Sequence, residues 1–517
     1  MRKLLSYFFA FSLLLAVSYS CKDKDDLFTE EVNVVSQFVY DGLSTYYYWA
    51  NEVESKKPQI TDVDPSNYFY KILNSTDTQH GWSWITDDVE ALLAEFEGKS
   101  LSFGYDLGFM TENNMVYAYI KYVYADTPAD KAGLKRLDLI GKINGQRIRT
   151  EERNGSTYVN SEDVGLLYGN NTVKFTVYQY SGGQIVQDQE REVTITPDDS
   201  AKDPVLYENI YQIGDKKIGY LFYTDFYDNY NHRLYEVFNG FKQNGVTDLV
   251  LDLRYNTGGA VSSAIYLASL IAPRTYVENR DPFVVMNYNN FLNTSFDKWY
   301  KEAAPADKYK YDRKDYLGVY SSPKDQNPLN ANLNLNRVYV IATGNSYSAS
   351  ELTTFCLEPY MDVVHIVSNT GGKYTASWTI HGYDSDLGVA VYDEAKLSSS
   401  ERTKLKNWAM QPIVAMYADK DSKSFHNPGY LTPDYEIYEG WMKDWTPLGD
   451  TKDVLLGQAL YLISGDENYK PTQTRYSREF PKNIEVRGSE SGKPVIIENK
   501  LTPEDFQKIR ELKNGTE

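Results

Sequence analysis

The sequence predicts a multidomain protein of mixed helix and strand: a helical N-terminal domain over residues 31–97, a β-rich domain over 98–198 and an α/β domain over 199–465. Three observations lead to this prediction. The chain has 517 residues, which is more than one domain usually holds. Its 42% apolar and 24% charged residues lie in the globular range. The spacing of apolar residues changes along the chain, from helical to strand-like and then to strands alternating with helices.

Local patterns justify the first two regions. Residues 34–54 form a helical pattern that is rich in aromatic side chains. Residues 116–124 are a continuous run of β-prone side chains. Similar runs flank Ser181-Gly182-Gly183, which indicates a β-hairpin.

The third region reads as βα units. Residues 249–253 and 338–342 are short apolar runs, as expected for strands that are covered on both faces. Each run is followed by a Gly- or Asn-containing turn and a helical pattern. The long, polar, Tyr-rich segment 274–336 is predicted to be an insertion or loop, and 466–517 to be a charged C-terminal tail.

Composition excludes several classes of protein. The 72 acidic and 53 basic residues give a net charge of −19, which argues against nucleic acid as a partner. Two cysteines exclude a disulfide framework and most thiolate metal sites, and five histidines leave little for a His-rich one. The 46 tyrosines are side chains that binding surfaces favour, although most tyrosines serve packing.

The first residues read as an export signal. Arg2 and Lys3 precede an apolar run over 4–17, which is too short to span a membrane, so 1–20 is predicted to be a signal peptide. Ser20 before Cys21 resembles the bacterial lipoprotein processing site, which implies lipidation at Cys21.

The segment after Cys21 adds to this resemblance. Residues 21–30 would be a charged tether, and their acidic start resembles the surface-export signal of Bacteroidetes lipoproteins. The expected location is the outer membrane or cell surface, with the periplasm as the other possibility. The alternative is an ordinary cleaved signal that leaves Cys21 to pair with Cys356.

Ser348 is the first candidate catalytic residue. It lies after a predicted strand and a turn, and Ser348-Ala349-Ser350-Glu351 opens a helix. A serine at such a turn has an exposed hydroxyl close to the unpaired N–H groups of a helix N-terminus, as an acyl-transfer nucleophile requires. The alternative is a helix cap, since Ser348 and Glu351 have capping-box spacing.

Two further segments could complete a catalytic site. Lys373 follows Gly371-Gly372 at a strand end, where burial would lower its pKa and allow it to take a proton from serine. The alternative is a solvated turn lysine. Gly258 and Gly259 end the run that begins at Asp252, and backbone N–H groups there could face an oxyanion. The alternatives are a plain turn or a phosphate loop, but the GxxxxGK[ST] pattern is absent.

These three segments, with the glycine pair upstream of Ser348 and Lys373 downstream of it, resemble the S41 peptidases, the C-terminal processing proteases. The likeness covers about residues 100–465. It implies a ClpP/crotonase-like catalytic domain with Ser348 as nucleophile and Lys373 as general base. It also implies an oxyanion hole from the Ala349 N–H and an N–H of Gly258 or Gly259, with neither metal nor other cofactor.

One position departs from the family pattern. Many members carry Gln four residues after the lysine, where this chain has Ser377. Its hydroxyl could accept from an ammonium or donate to a neutral amine, so Ser377 is a candidate third residue. His365 and His381 would support a Ser-His alternative.

The β-rich region resembles a PDZ domain, which these proteases usually carry. Residues 104–109 look like the loop whose N–H groups hold a peptide carboxylate, which makes Leu107, Gly108 and Phe109 candidate peptide-binding residues. The later motifs of that domain follow over 127–145, with Leu137 in place of a usual Gly. The alternative is an unrelated β domain.

The sequence thus predicts a lipid-anchored serine endopeptidase that cleaves envelope or extracellular proteins. One alternative is a peptide-binding lipoprotein with a weak or inactive catalytic domain, which Ser377 favours. Another is a glycan-binding surface component, which rests on the export signal and the aromatic content. Oligomeric state and substrate are not determined by the sequence.

Overall fold

The computed structural model of the chain describes residues 32–153, 156–181, 184–320, 324–438, 446–471, 482–483, 495–496, 500–513 and 515. The predicted signal peptide, Cys21 and the tether lie outside these residues and stay predictions. Within the described ranges, no helix is long and apolar enough to cross a membrane.

Helices occur in all three predicted regions and also near the C-terminus. They are α1 (Val34–Tyr46), α2 (Ala50–Val53), α3 (Pro65–Ile72), α4 (Ser75–His80), α5 (Val89–Phe96), α6 (Pro128–Lys131), α7 (Ser161–Leu167), α8 (Asn231–Gln243), α9 (Val261–Ile271), α10 (Arg274–Asn279), α11 (Asn290–Glu302), α12 (Ala349–Leu357), α13 (Ser399–Leu405), α14 (Val454–Ser464) and α15 (Pro503–Lys513). Side chains of Asn33, Asp64, Asn74 and Asp88 cap the helices α1, α3, α4 and α5, which explains where these N-terminal helices begin.

Strands form several sheets. They are β1 (Trp84–Thr86), β2 (Tyr105–Glu112), β3 (Met115–Val123), β4 (Leu139–Ile143), β5 (Gln146–Arg147), β6 (Thr150–Arg153), β7 (Ser156–Val159), β8 (Val173–Ser181), β9 (Gln184–Ile195), β10 (Val205–Ile213), β11 (Lys216–Tyr223), β12 (Asp248–Asp252), β13 (Pro282–Tyr288), β14 (Lys314–Tyr316), β15 (Arg337–Ala342), β16 (Asp362–Val367), β17 (Thr375–Ser377), β18 (Ile380–His381), β19 (Val389–Ala390), β20 (Ala409–Gln411), β21 (Ile413–Asp419), β22 (Tyr435–Glu436), β23 (Lys482–Asn483) and β24 (Val495–Ile496).

The α/β region is built on a six-stranded sheet with the order β10-β11-β12-β15-β16-β22. Its pairs are parallel except for β10, which runs antiparallel to β11. The predicted strands at 249–253 and 338–342 are confirmed as β12 and β15. The carboxyl ends of β12, β15 and β16 lie at one edge, where ligand sites of such sheets form.

The β-rich region forms a second sheet, ordered β23-β2-β3-β4-β8-β9, and the predicted hairpin is confirmed as β8 and β9. The loop expected over 104–109 is instead mostly strand. Leu107, Gly108 and Phe109 lie inside β2 and pair with residues of β3. Leu107 and Phe109 are buried in the core of this region, which keeps the segment extended. Leu137, where a Gly was expected, has a φ of 77°.

The N-terminal helices do not have a core of their own. Buried side chains of α1 and α3 join the same hydrophobic cluster as α9, α12 and the central sheet. At Gly42 of α1 a Cβ would lie 2.0 Å from Cε of Met410, so the backbone of α1 lies directly on the α/β region. The prediction of a helical N-terminal region is confirmed, but α1 and α3 pack as part of the core of the α/β region.

Two segments predicted to be irregular contain regular structure. The expected loop over 274–336 includes α10, α11, β13 and β14, and β13 pairs with β21 in a five-stranded sheet ordered β14-β13-β21-β17-β24. The expected C-terminal tail includes α15, whose Phe506 and Ile509 are buried in the main core. Both segments are polar overall, and their short apolar runs pack only in tertiary context.

Candidate active site

Ser348 lies at the turn between β15 and α12, fully buried. Its φ of 60° and ψ of −111° are unusual for a residue other than glycine, and such strain is common at functional sites. The side chain of Glu351 accepts from the Ser348 N–H at 2.9 Å, as in a capping box. Ser348 Oγ itself has no hydrogen-bond partner among the described residues. The hydroxyl is therefore not committed to capping the helix.

The glycine pair after β12 lies directly against Ser348. Gly258 and Gly259 have φ values of 107° and 141°, which disfavour side chains. A Cβ at Gly258 would lie 2.7 Å from Cβ of Ser348 and 3.0 Å from N of Ala349. The turn and the glycine loop predicted from the sequence are thus in contact.

The backbone N–H groups at this contact differ in whether they already donate a hydrogen bond. The Gly258 N–H donates to Oδ1 of Asn256 at 2.9 Å. The N–H groups of Gly259 and Ala349 have no acceptor among the described residues. The sequence did not decide between the N–H groups of Gly258 and Gly259 as an oxyanion donor. The N–H of Gly259 is the available one, because that of Gly258 already donates to Asn256.

Lys373 lies on the loop between β16 and β17, fully buried. The preceding glycines permit close packing of this loop. A Cβ at Gly371 would lie 2.3 Å from the ring of Tyr347, and one at Gly372 would lie 2.6 Å from the carbonyl oxygen of Gly429. Lys373 is not the solvated turn lysine that was the alternative.

Burial lowers the pKa of Lys373 to about 7, and the negative charges of Asp77 and Glu351 oppose this shift. In a large fraction of the molecules, the Lys373 amine is therefore neutral near pH 7. A neutral amine accepts a proton, which an ammonium cannot do.

Glu351 connects the serine turn to the lysine loop. Its Oε2 accepts from the N–H groups of Ser348 at 2.9 Å and Lys373 at 2.8 Å. Its Oε1 accepts from Thr370 Oγ1 at 2.5 Å and the Gly372 N–H at 2.8 Å. Burial raises the pKa of this carboxyl, and the hydrogen bonds oppose that shift. Beyond the capping-box role that its spacing from Ser348 predicts, Glu351 thus fixes the relative position of the two candidate catalytic segments.

The beginning of the glycine loop is held by a buried ion-pair cluster. Arg254 is fully buried and pairs with Asp252 at 2.6 Å and Asp453 at 2.9 Å. The Tyr220 hydroxyl donates to Asp252 at 2.8 Å. Because Asp453 caps α14, this cluster ties the loop to that helix. Breaking such a buried pair on one side leaves an uncompensated charge.

The other candidates have distinct positions. Ser377 is fully buried on β17, four residues beyond Lys373. His365 contacts the Thr432 carbonyl oxygen at 3.1 Å and His381 that of Lys406 at 2.9 Å, and burial lowers the pKa of both. Neither is a partner of Ser348 Oγ, so the Ser-His alternative has no geometric support. Cys356 is buried and forms no disulfide within the described residues.

Two residues of the site were missed by sequence reasoning. The Tyr417 hydroxyl donates to the carbonyl oxygens of Lys373 at 3.1 Å and Ser348 at 3.3 Å. The negative charge of Asp77, in the N-terminal helices, opposes the lowering of the Lys373 pKa. Both are distant from the motifs in sequence and have no local signal.

These features are the ones that a serine-type hydrolase site requires: a buried serine at a strained turn, available N–H donors beside it and a buried lysine with a pKa of about 7. In the part of the chain that the structure describes, no group of three or more His, Cys, Asp or Glu residues could hold a metal ion.

Comparisons with known proteins lead to the same class. The model of Peptidase family S41 matches residues 217–437, and that of the Peptidase S41 N-terminal domain matches 35–84. The carboxy-terminal processing protease CtpA of Bacillus subtilis (strain 168) is 27% identical over 184 residues, which are 35% of this chain and 34% of that protein. A protein described as a CtpA-like serine protease of Staphylococcus haemolyticus (strain JCSC1435) is 25% identical over 186 residues, 36% of this chain and 33% of that protein. The chain thus spans about a third of the length of these curated relatives.

The fold agrees with these matches. A crystal structure described as that of an S41 protease from Bacteroides fragilis NCTC 9343 aligns with a TM-score of 0.61 and 25% identity, over 83% of this chain and 97% of that chain. The two matched regions cover just over half of the chain. The chain belongs to peptidase family S41, a family of serine-type peptidases, and the predicted fold class is confirmed.

Proposed function

We propose that this protein is a serine endopeptidase in which Ser348 is the nucleophile and Lys373 the general base. The observation that carries the proposal is the position of a buried Ser348 hydroxyl, which has no hydrogen-bond partner among the described residues, beside the loop of a buried lysine whose pKa is about 7. Glu351 links both segments through backbone N–H groups. Its substrates would be envelope or extracellular proteins.

The chemistry begins with proton transfer. Neutral Lys373 accepts the proton of Ser348 Oγ while the oxygen forms a bond to the carbonyl carbon of a peptide. The carbonyl π electrons move to its oxygen, and the N–H groups of Ala349 and Gly259 stabilise that oxyanion. Preorganised donors of this kind lower the barrier because they are already aligned.

The intermediate then collapses. Its C–N bond breaks, and the leaving nitrogen takes the proton that Lys373 holds, which leaves an acyl ester on Ser348. Water attacks the ester while Lys373 accepts a proton from it. The same lysine then returns a proton to Ser348 Oγ, and the carboxylic acid product departs.

A digestion experiment tests this proposal against the peptide-binding alternative, which Ser377 favours. The mature chain from residue 22 is expected to degrade an unfolded protein such as β-casein, and Ser348→Ala is expected to lose this activity. Below pH 7 the rate should fall as Lys373 becomes protonated. Cleavage by both proteins would contradict the nucleophile assignment. An intact substrate with both proteins, together with peptide binding, would favour the alternative.

We further propose that the β-rich region is PDZ-like and recruits the C-terminal segment of a substrate. Its strand β2 pairs with β23 only at Met110 and Thr111, so the edge beside Leu107, Gly108 and Phe109 has no partner strand among the described residues. An extended peptide could add there as a strand. Converting a peptide substrate's C-terminal carboxylate to an amide is expected to raise KM and leave kcat unchanged. An unchanged KM would contradict recruitment through the carboxylate.

The location of the enzyme is also a proposal. The resemblance of the segment around Cys21 to a lipoprotein processing site supports a lipid anchor in the outer membrane or at the cell surface. If Cys21→Ser remained in the membrane fraction, this anchor would be contradicted.

A further inference from the structure

Asp77 is a buried carboxylate in the N-terminal helices. It lies in α4, and its side chain is fully buried. Its Oδ2 accepts from the Tyr47 hydroxyl at 2.7 Å and from Ser83 Oγ at 2.5 Å, and its Oδ1 accepts from the Ser83 N–H at 2.8 Å. A buried carboxylate with this many donors is held in one orientation.

The segment around Asp77 packs against the strands that follow Lys373. Ser83 Oγ accepts from the Ile413 N–H at 2.9 Å. Ile413 is the register partner of Ser377, at the point where the pairing of β17 with β21 is irregular. Trp82 packs against Tyr374, the residue after the lysine, with ring centroids 5.4 Å apart. The N-terminal helices thus form one wall around the candidate base.

Two carboxylates, those of Asp77 and Glu351, act on the charge of Lys373. They differ in how many hydrogen bonds they already accept. Both oxygens of Glu351 already accept two hydrogen bonds each. Oδ1 of Asp77 accepts one bond among the described residues. Asp77 therefore has more acceptor capacity left for the charged group of the lysine.

We infer that Asp77 is a positioning residue for the catalytic lysine, which orients its side chain and sets the pH at which it becomes a base. This inference rests on the proposed function.

The sign of the effect follows from charge. An ionised Asp77 stabilises the ammonium form of Lys373 and opposes the desolvation that lowers its pKa. Burial raises the pKa of Asp77, while the Ser83 and Tyr47 hydrogen bonds and the charge of Lys373 lower it. Removing the carboxylate lowers the pKa of Lys373, so the lysine becomes neutral at a lower pH. The acid limb of kcat/KM then moves to lower pH.

The test is the pH profile of kcat/KM for Asp77→Asn in the mature chain, with a peptide substrate. We expect the midpoint of the acid limb to fall by about one pH unit or more and the plateau to fall as the lysine loses its orientation. A merely structural role would lower the plateau or the thermal stability and leave the midpoint unchanged.

Two variants serve as matched controls. Asp41, half-buried in α1, also accepts from a tyrosine hydroxyl, that of Tyr392 at 2.7 Å, but does not face Lys373. Asp41→Asn is therefore expected to keep the wild-type midpoint. Tyr47→Phe removes a hydrogen bond from Asp77 but keeps its charge, and should move the midpoint much less than Asp77→Asn.

The outcomes separate the two claims. A wild-type enzyme that does not cleave would overturn the proposed function and this inference together. An active wild type with a clear acid limb, whose midpoint is unchanged in Asp77→Asn, would overturn the inference alone. If Asp77→Asn does not fold, Asp77→Ser removes the same charge with a smaller hydroxyl side chain and is judged by the same midpoint.

Discussion

Replacing Lys373 with Met is expected to lower kcat/KM by about 10²- to 10⁴-fold, the usual contribution of a general base. Met fills a similar volume in this buried position, so the chain should fold and bind substrate. The wild-type rate should rise with pH through about 7, because burial lowers the pKa of Lys373 to that value and the neutral form is the base. The residual activity of the variant should lack this acid limb. The measurement is kcat/KM between pH 5 and 9 for both proteins.

A control shows whether the loss of activity comes from removing the general base or from replacing any buried lysine. Lys202 is also buried, and its partners are Ser100 and Glu95 rather than residues of the site. Lys202→Met is expected to keep the wild-type pH profile. If Lys373→Met retained the acid limb, a different group would be the base.

The candidate catalytic segments could be predicted because their signals are local. A strand, a turn and a helix start place Ser348, and a glycine pair after a strand places Lys373, without knowledge of tertiary contacts. The choice between Gly258 and Gly259 required the structure, because it depends on which N–H is already bonded to Asn256. Turn geometry, rather than residue type, decides which backbone N–H groups are already hydrogen-bonded.

Long-range contacts are what the sequence could not supply. Asp77 and Lys373 are brought together by the packing of α4 on the strands after the lysine, with no shared motif. The strand β13 was missed because its apolar run lies within a polar, Tyr-rich segment and becomes a strand by pairing with β21. The N-terminal helices were predicted correctly as helices, but their common core with the catalytic sheet depends on faces that only the fold brings into contact.

Replacing Glu351 with Gln is expected to lower the free energy of unfolding by about 3 kcal/mol, because buried donors lose their acceptor. The carboxylate accepts four bonds, from Ser348, Lys373, Thr370 and Gly372. A glutamine keeps one oxygen and points an NH₂ group at two donors, and the relief of burying a charge offsets part of that cost. The serine turn and lysine loop then lose alignment, so kcat should fall by about 10²-fold. Unfolding midpoints and kcat measure the two effects.

Glu401 provides the matched control for this prediction. It occupies the same third position of a helix, α13, and forms a capping box with Ser398. Glutamine supports a capping box as glutamate does, so Glu401→Gln should change the free energy of unfolding by less than about 1 kcal/mol. Glu351 differs because Thr370, Gly372 and Lys373 also depend on it. Equal effects of the two substitutions would mean that Glu351 only caps its helix, and that other contacts, such as those of Tyr417, align the catalytic segments.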